Sequence, residues 1–358
     1  MSEKLRIPAE EKYAVEIAAL TADPGQKPPG WRMTPKAVVA YLMGGKAHDG
    51  TTITPKYIGD RRIMETAVSS LITGKALLLL GVPGTAKSWV SEHLSAAISG
   101  NSTRIVQGTA GTDENKMTYG WNYAELLAKG PSRNALVTTP VMRAMEEGTI
   151  CRIEELTRMG SDVQDTLISV LSEKAIPIPE INKNAYATRG FNIIATANNR
   201  DKGVNDLLSA LMRRFNVVTL PLPSGIDDEV SIIVRRVGEM AAGLEQIVPR
   251  NVADEVRRVV TIFRELRSGH TMDGRAQLKS PSSGLSTAEA IDVMMSGISQ
   301  GTHFNEGVLD AESLSGAMLG AIIKDPVQDR AVLDEYLHTV VKKRTGYADH
   351  FAALSGRG

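Results

Sequence analysis

The sequence contains a single cysteine, Cys151, and this scarcity excludes any disulfide bond within the chain. Such sparing use of cysteine is typical of proteins in a reducing compartment, so we expect a cytoplasmic location. Because Cys151 falls inside an apolar segment, we expect it to be a small core residue rather than a nucleophile.

The chain also lacks an excess of either charge, since 41 basic and 41 acidic residues give a formal net charge of zero. This balance argues against bulk electrostatic binding to nucleic acids or anionic membranes. No apolar run approaches the roughly 20 residues needed to span a bilayer. The polar start of the chain, Met1 to Arg6, has no signal-peptide character. We therefore expect neither a membrane nor a nucleic acid as partner.

What the sequence does contain is an ordinary globular composition over 358 residues, with 42% hydrophobic and 23% charged residues. Between residues 57 and 220, short apolar segments alternate with patterns of helical spacing. This alternation predicts an α/β fold with a parallel five-stranded sheet covered by helices on both faces. The predicted strands are 76–80, 104–107, 149–153, 191–196 and 216–220.

The pattern changes on both sides of this region. Residues 1–50 predict a helical N-terminal extension, and residues 224–358 predict helices only. We therefore expect three parts, namely the extension, an α/β domain at 51–223 and a helical domain at 224–358. Two stretches interrupt the alternation. Residues 108–140 combine turns with a short helix, and residues 173–190 predict a hairpin.

The stretch after the first predicted strand has the spacing of a phosphate-binding loop, followed by a helix. Glycines allow the backbone to turn so that its N–H groups point at an anion, and the helix N-terminus adds further donors. The lysine supplies a cation for the outer phosphates and the serine a hydroxyl ligand for magnesium. The alternative is a tight turn with an accidental Lys-Ser. The loop comprises Gly81, Val82, Pro83, Gly84, Thr85, Ala86, Lys87 and Ser88.

Ala86 departs from this pattern, because a glycine usually occupies its position. We expect the substitution to have little effect if the backbone there is already helical.

Two acids, Glu154 and Glu155, follow the apolar segment Ile150 to Ile153. An acid at the carboxyl end of a neighbouring strand can hold magnesium, and a second can polarise the water that attacks a phosphoanhydride. We assign these roles to Glu154 and Glu155 respectively. Most such sites have aspartate at the first position. The alternative is a pair of solvated carboxylates at a strand end.

Polar side chains also lie at the ends of a later predicted strand and of the helix before the last strand. Asn198 ends the strand that begins at Phe191, and an amide there can hydrogen-bond the attacking water or the terminal phosphate. Asn199 fits better as an amide that satisfies loop backbone. Arg213 and Arg214 end a helix, where the helix dipole favours cations. Alternatively, one of them reaches a neighbouring subunit's nucleotide and stabilises transition-state charge.

Together these four features resemble those of AAA+ ATPases of the MoxR-like group, over residues 57 to 345. In that resemblance Gly81–Ser88 is Walker A, Ile150–Glu155 is Walker B, Asn198 is sensor 1 and Arg214, with Arg213 beside it, is the arginine finger. The helical domain at 224–358 resembles the family's lid. The resemblance also implies nucleotide contacts outside the loop, at Ile58, Gly59 and Trp89.

Membership would imply ATP and Mg²⁺ as ligands and a homo-oligomeric ring, commonly a hexamer, with a site at each subunit interface. It would also imply chaperone-like remodelling or activation of a partner protein, usually one with a von Willebrand factor A domain.

One position departs from that family. Its lid usually presents a sensor 2 arginine in a Ser-Pro-Arg sequence, whereas here Ser280-Pro281 is followed by Ser282. Lys279 or Arg275 are candidate substitutes, although lysine and arginine are not equivalent at such sites.

The sequence thus leaves three functional hypotheses open. The first is a Mg-ATP-hydrolysing remodelling ATPase. The second is a nucleotide-gated scaffold that binds ATP and assembles with little hydrolysis. A nucleic-acid motor ranks lower because no basic stripe is present. A GTPase ranks lower still, since the chain has no Asn-Lys-x-Asp motif.

Overall fold

A computed structural model of the chain describes residues 6–198, 206–282 and 284–356. The chain divides into two compact units. The first consists of Met1–Val82 and Ala86–Pro221, and the second of Pro83–Thr85 and Leu222–Gly358. The sheet and the first 50 residues therefore belong to the same unit.

The first unit begins with helices that pack against those flanking the sheet. The N-terminus of the third helix is fixed by Thr34, whose hydroxyl accepts a hydrogen bond from the Ala37 amide, and by Pro35 in its first turn. Buried Tyr41 and Leu42 of that helix join the core beneath the sheet. The elements are α1 (Ala9–Lys12), α2 (Ala14–Thr21), α3 (Pro35–Met43), β1 (Gly45–Lys46), β2 (Thr52–Ile53) and α4 (Arg61–Ile72).

A five-stranded parallel sheet with flanking helices follows, as the sequence predicted. Its strands β3 (Ala76–Gly81), β4 (Ile105–Gln107), β7 (Ile150–Glu154), β10 (Asn192–Asn198) and β11 (Phe215–Thr219) lie in the order β11-β3-β10-β7-β4, so β10 is the central strand. The elements are β3 (Ala76–Gly81), α5 (Lys87–Ser99), β4 (Ile105–Gln107), α6 (Glu114–Met117), β5 (Tyr119–Trp121), α7 (Tyr123–Lys129), β6 (Leu136–Thr138), α8 (Pro140–Glu147), β7 (Ile150–Glu154), α9 (Ser161–Glu173), β8 (Ala175–Ile178), β9 (Lys183–Tyr186), β10 (Asn192–Asn198), α10 (Ser209–Met212) and β11 (Phe215–Thr219).

The register of the sheet brings the carboxyl ends of three strands to one edge. Asn198 of β10 pairs with Gly81 of β3, and Ala195 of β10 pairs with Ile153 of β7. On the other side of β7, Gln107 of β4 pairs with Glu154. The loop after β3, the two acids at the end of β7 and the amide at the end of β10 therefore lie side by side, where open parallel sheets bind ligands.

Two antiparallel hairpins extend from the sheet. β8 pairs with β9, which confirms the hairpin predicted within residues 173–190. β5 pairs with β6 and encloses α7, so the 108–140 stretch contains a hairpin as well as the predicted short helix. Both hairpins are built from strands of only three or four residues.

The helices of the second unit surround one apolar core that includes Phe263, Met294 and Leu333. Ser286 and Asp310 cap two of these helices with reciprocal capping boxes. The elements are α11 (Ile226–Gly243), α12 (Val252–Ser268), α13 (Thr287–Phe304), α14 (Ala311–Ile322), α15 (Gln328–Thr339) and α16 (Ala348–Ser355). The sequence did not predict α16.

Cys151 lies in β7 as a free, fully buried thiol, which confirms the expectation of a core residue. Burial raises the pKa of this thiol to about 12 despite the Arg152 guanidinium nearby, so Cys151 is no nucleophile at neutral pH. Over the described ranges, no helix is both long and apolar enough to cross a membrane.

Candidate functional site

The loop between β3 and α5 reverses the chain through two residues with left-handed backbone. Gly84 has φ 81° and Ala86 has φ 62°. The condition under which we expect little effect of Ala86, a backbone that is already helical, is therefore not met. A side chain in this conformation costs about 1 kcal/mol, which explains why glycine suits the position. α5 begins at the next residue, Lys87.

Lys87 folds back over this loop. Its Nζ donates to the carbonyl oxygens of Gly81 and Val82, at 3.0 and 2.9 Å, and the side chain is buried. Ser88, one residue further, is exposed at the start of a helix of 13 residues. A cation, a helix N-terminus and an exposed serine thus converge on the space outside β3, an arrangement suited to a polyphosphate.

Glu154, the last residue of β7, is buried and accepts four hydrogen bonds. Its Oε1 receives one from Ser91 (2.6 Å) and one from Arg152 (2.8 Å), and its Oε2 receives one from Ser88 (2.7 Å) and one from Thr196 (2.6 Å). Burial raises the pKa of this carboxyl, but the hydrogen bonds from Ser91 and Thr196, together with the Arg152 cation, hold it below its usual value. Glu154 is therefore ionised at neutral pH.

Glu155 directly follows and has a left-handed backbone with φ 56°. Its amide donates to Thr196 Oγ1 at 3.2 Å, and its Oε2 accepts from Asn198 Nδ2, also at 3.2 Å. The strain is held by the tertiary structure, since the Gly108 amide donates to the Glu154 carbonyl. A Cβ added at Gly108 would lie 2.4 Å from the Glu155 carbonyl oxygen, so only glycine fits there.

These residues fit magnesium and a nucleotide by their chemistry. Mg²⁺ prefers hydroxyl, carboxylate and phosphate oxygens and usually takes only one or two ligands from the protein. Ser88 and Glu154 supply such oxygens in hydrogen-bonding contact with one another. No group of three His, Cys, Asp or Glu side chains suited to a metal occurs in the described parts of the chain.

The remaining predicted contacts lie beside the first turn of α5. The Trp89 indole Nε1 donates to the Lys56 carbonyl at 2.8 Å, and its ring packs on His93. Ile58 and Gly59 lie two and three residues after Lys56; Ile58 is half-buried and Gly59 exposed. Trp89 thus ties this segment to the helix that begins at Lys87, and contact with a base stays a prediction.

Three side chains of the site escaped the sequence prediction. Arg152 and Thr196 lie inside strands that otherwise read as apolar core, and Ser91 lies one turn into α5. The available signal was their polarity at positions that the strand pattern marks as buried, since buried polar groups need partners. Asn199, expected to satisfy loop backbone, lies outside the described residues.

Comparison with known proteins places this site in a family. Residues 76–215 match the profile of the AAA domain of the dynein-related subfamily, and residues 227–352 match the C-terminal domain of YehL-like AAA+ ATPases. The protein YehL of Escherichia coli K12 is 37% identical over 336 residues, which cover 92% of this chain and 91% of that protein. This chain belongs to the YehL-like AAA+ ATPases.

More distant similarities also exist. The Staphylococcus haemolyticus protein SH1500 is 26% identical over 204 residues, which cover 56% of this chain and 76% of that protein. Among solved structures, NtrX from Brucella abortus in complex with ATP aligns at 14% identity over 85% of this chain and 66% of that one, with a TM-score of 0.47. The Thermotoga maritima RuvB Holliday junction branch migration motor aligns at 16% identity over 88% and 86%, with a TM-score of 0.45.

In this YehL-like chain the two candidate finger arginines differ in their surroundings. Arg214 is half-buried, with its Nε donating to Ser172 Oγ at 3.1 Å and one terminal nitrogen donating to the Ala210 carbonyl at 2.9 Å. Arg213 is exposed. Contacts within the chain thus hold Arg214 next to the start of β11, whereas Arg213 is accessible to solvent.

The C-terminal unit of the YehL-like chain engages Ser282, the residue at the expected sensor 2 position. Both its amide and its hydroxyl donate to the buried carboxylate of Asp329, each at 2.7 Å. Of the two candidate substitutes, Lys279 pairs with Glu335 at 2.7 Å, and Arg275 is exposed beside Asp273. Whether either acts on a nucleotide stays a prediction.

Proposed function

We propose that this YehL-like AAA+ protein is a Mg-ATP-dependent ATPase that hydrolyses the terminal phosphoanhydride bond of ATP. The observation that carries the proposal is the cluster at the carboxyl edge of the sheet. Lys87 and Ser88 lie at the start of α5, Ser88 contacts Glu154, and Asn198 contacts Glu155.

Each side chain has a defined role in this proposal. Lys87 would leave its loop carbonyls to contact the outer phosphates, with the α5 N-terminus supplying further donors. Ser88 and Glu154 would hold Mg²⁺, which when bound neutralises phosphate charge. Glu155 would orient and deprotonate the attacking water, which Asn198 helps to place. Arg214 or Arg213 would act on a neighbouring subunit's nucleotide.

The direct test is Glu155→Gln, which keeps the shape of the side chain and removes its basicity. We expect ATP affinity to stay within about threefold of wild type and turnover to fall by about a hundredfold or more, because general-base catalysis contributes on this scale. Glu173→Gln, which changes an exposed glutamate at the end of α9, is the matched control and should leave both unchanged. Wild-type turnover in Glu155→Gln would disprove the role of Glu155.

We further propose that the protein forms a ring, commonly hexameric in related assemblies, and remodels or activates a partner protein in the manner of MoxR-like ATPases. A partner with a von Willebrand factor A domain is the first candidate. The support is the family membership and the exposed Arg213, which suits action across an interface. Affinity capture with Glu155→Gln in ATP and in ADP tests this proposal. A partner retained only in ATP supports it, and identical profiles in both nucleotides count against it.

A nucleotide-gated scaffold with little turnover is the second candidate function. It is favoured by Ser282, because a side chain engaged by Asp329 replaces the expected sensor 2 arginine. Steady-state phosphate release from the assembled protein separates the two functions, since brisk turnover excludes the scaffold. A nucleic-acid motor would instead show salt-sensitive DNA or RNA binding and stimulation by it. The cytoplasmic location stays a prediction.

A further inference from the structure

The Arg152 guanidinium lies beneath the candidate magnesium site and is almost completely buried. Each of its nitrogens donates a hydrogen bond. Nε donates to Ser91 Oγ, one terminal nitrogen to the Ser102 carbonyl, and the other to the Ser88 carbonyl, all at 3.0 Å. The last nitrogen also donates to Glu154 Oε1 at 2.8 Å. A cation buried this deeply persists only when its partners are fixed, so Arg152 joins β7 rigidly to the first turns of α5.

Ser91 completes this arrangement from the helix side. It is fully buried, and its hydroxyl donates to Glu154 Oε1 at 2.6 Å and accepts from Arg152 Nε. A serine hydroxyl has one proton, and here the short contact to a carboxylate uses it. Ser91 therefore transmits the position of Arg152 to the carboxylate of Glu154.

As a consequence, the two carboxylate oxygens of Glu154 have different hydrogen-bond donors. Oε1 is occupied by Ser91 and Arg152, whereas Oε2 accepts from Thr196 and from the Ser88 hydroxyl. We infer that Ser91 and Arg152 are positioning residues that orient the Glu154 carboxylate and, through it, the Ser88 hydroxyl for magnesium. This inference rests on the proposed function, because it concerns the magnesium site of the ATPase.

The same contacts explain the glutamate at a position where aspartate is usual. The additional methylene of Glu154 carries its Oε1 to Ser91 on the second turn of α5, which an aspartate would not reach from the same backbone. The longer acid and the Ser91–Arg152 pair are thus matched, and Glu154→Asp would leave the buried guanidinium without its anion.

A control distinguishes positioning from mere packing. Ser95 lies one turn further along α5, is equally buried, and donates its hydroxyl to the Ser91 carbonyl rather than to Glu154. Ser91→Ala and Ser95→Ala therefore remove the same atom from the same helix, and only the first removes a contact to the acid.

The experiment measures the affinity for a slowly hydrolysed ATP analogue by calorimetry, once with magnesium chloride and once with EDTA. The ratio of the two affinities isolates the contribution of magnesium from that of the loop. We expect Ser91→Ala to reduce this ratio by about tenfold, the effect of one hydrogen bond to a charged group, with little change in EDTA. Ser95→Ala should keep the wild-type ratio.

Equal ratios in the two alanine variants would overturn the inference. A wild-type ratio near one would instead contradict the proposed function, so the two failures are distinguishable. If Ser91→Ala does not fold, Arg152→Lys provides the second measurement, because a lysine keeps the charge but cannot reach Ser91 and Ser88 together. Its ratio should fall as well, and an unchanged ratio there would also overturn the inference.

Discussion

Left-handed backbone at two non-glycine residues marks the site at the scale of single residues. Ala86 ends the phosphate loop and Glu155 follows β7, with φ of 62° and 56° respectively. Glu155 must carry its side chain because the proposed chemistry needs a carboxylate, whereas Ala86 carries a methyl group with no assigned role. The strain at Ala86 should therefore be removable without loss of function.

Ala86→Gly should raise the free energy of unfolding by about 1 kcal/mol, because glycine adopts left-handed backbone without a Cβ clash. Urea denaturation followed by circular dichroism measures the change. Ala124→Gly, on the exposed face of α7, is the control and should give no gain, since glycine is unfavourable inside a helix. A loss of stability in Ala86→Gly would show that the methyl group contributes packing that outweighs the strain.

The sequence predicted those residues of the site whose position follows from the local pattern along the chain. Lys87, Glu154 and Asn198 each stand at or shortly after the carboxyl end of a strand, so the pattern of strands located them. Thr196 contacts both Glu154 and the Glu155 amide, but this depends on the register between β10 and β7. Register is a tertiary property, and no spacing along the chain encodes it.

At the scale of elements, the start of α15 depends on one buried acid. The Asp329 carboxylate accepts from the amide and hydroxyl of Ser282 and from the amides of Lys324 and Asp325, at 2.7 to 2.8 Å. Burial raises the pKa of Asp329, but these donors outweigh it and lower the pKa to about 2. Asp329 therefore holds two irregular segments of the C-terminal unit against one helix.

Asp329→Asn should destabilise the C-terminal unit by about 2 kcal/mol at neutral pH, because an amide nitrogen would face backbone donors. The folded-state pKa lies below the unfolded value, so the stabilising effect of Asp329 is complete above about pH 4 and is lost as the pH falls toward 2. The difference in unfolding free energy between wild type and variant should shrink over that interval.

The control is Asp334→Asn, which changes a half-exposed partner of Arg330 in α15 and should show almost no effect at any pH. A difference for Asp329→Asn that stays constant from pH 7 to pH 2 would contradict this account.

The elements themselves followed the sequence where they are regular. The five strands of the sheet and the helices α11 to α15 carry clear periodicity. The β5–β6 hairpin and α16 were missed because three-residue strands and an eight-residue helix carry too little periodic signal. Their formation depends on surfaces supplied by the rest of the chain.

At the scale of the whole molecule, each catalytic site of the proposed ring would contain residues from two neighbouring subunits. Glu155 would act on the nucleotide of its own subunit, and Arg213 or Arg214 would act on that of a neighbour. Defects in the two classes of residue should therefore complement one another when subunits mix.

A mixture of Glu155→Gln with the double variant Arg213→Ala/Arg214→Ala tests this arrangement. Each variant alone should be nearly inactive, whereas an equimolar mixture should recover about a quarter of wild-type turnover, since one interface in four combines an intact acid with intact arginines. Phosphate release after mixing and re-equilibration is the measurement. No recovery in rings shown by mass to contain both variants would place the arginines in the same subunit as the acid they serve.

The position of Cys151 has a practical consequence. The chain has one thiol, and it lies sealed in the central sheet directly before Arg152. A thiol-reactive dye can reach it only when β7 separates from its neighbours. The rate at which a dye labels Cys151 in the native protein therefore reports how often the sheet opens. The same rate, measured with a bound ligand, reports how far the ligand suppresses that opening.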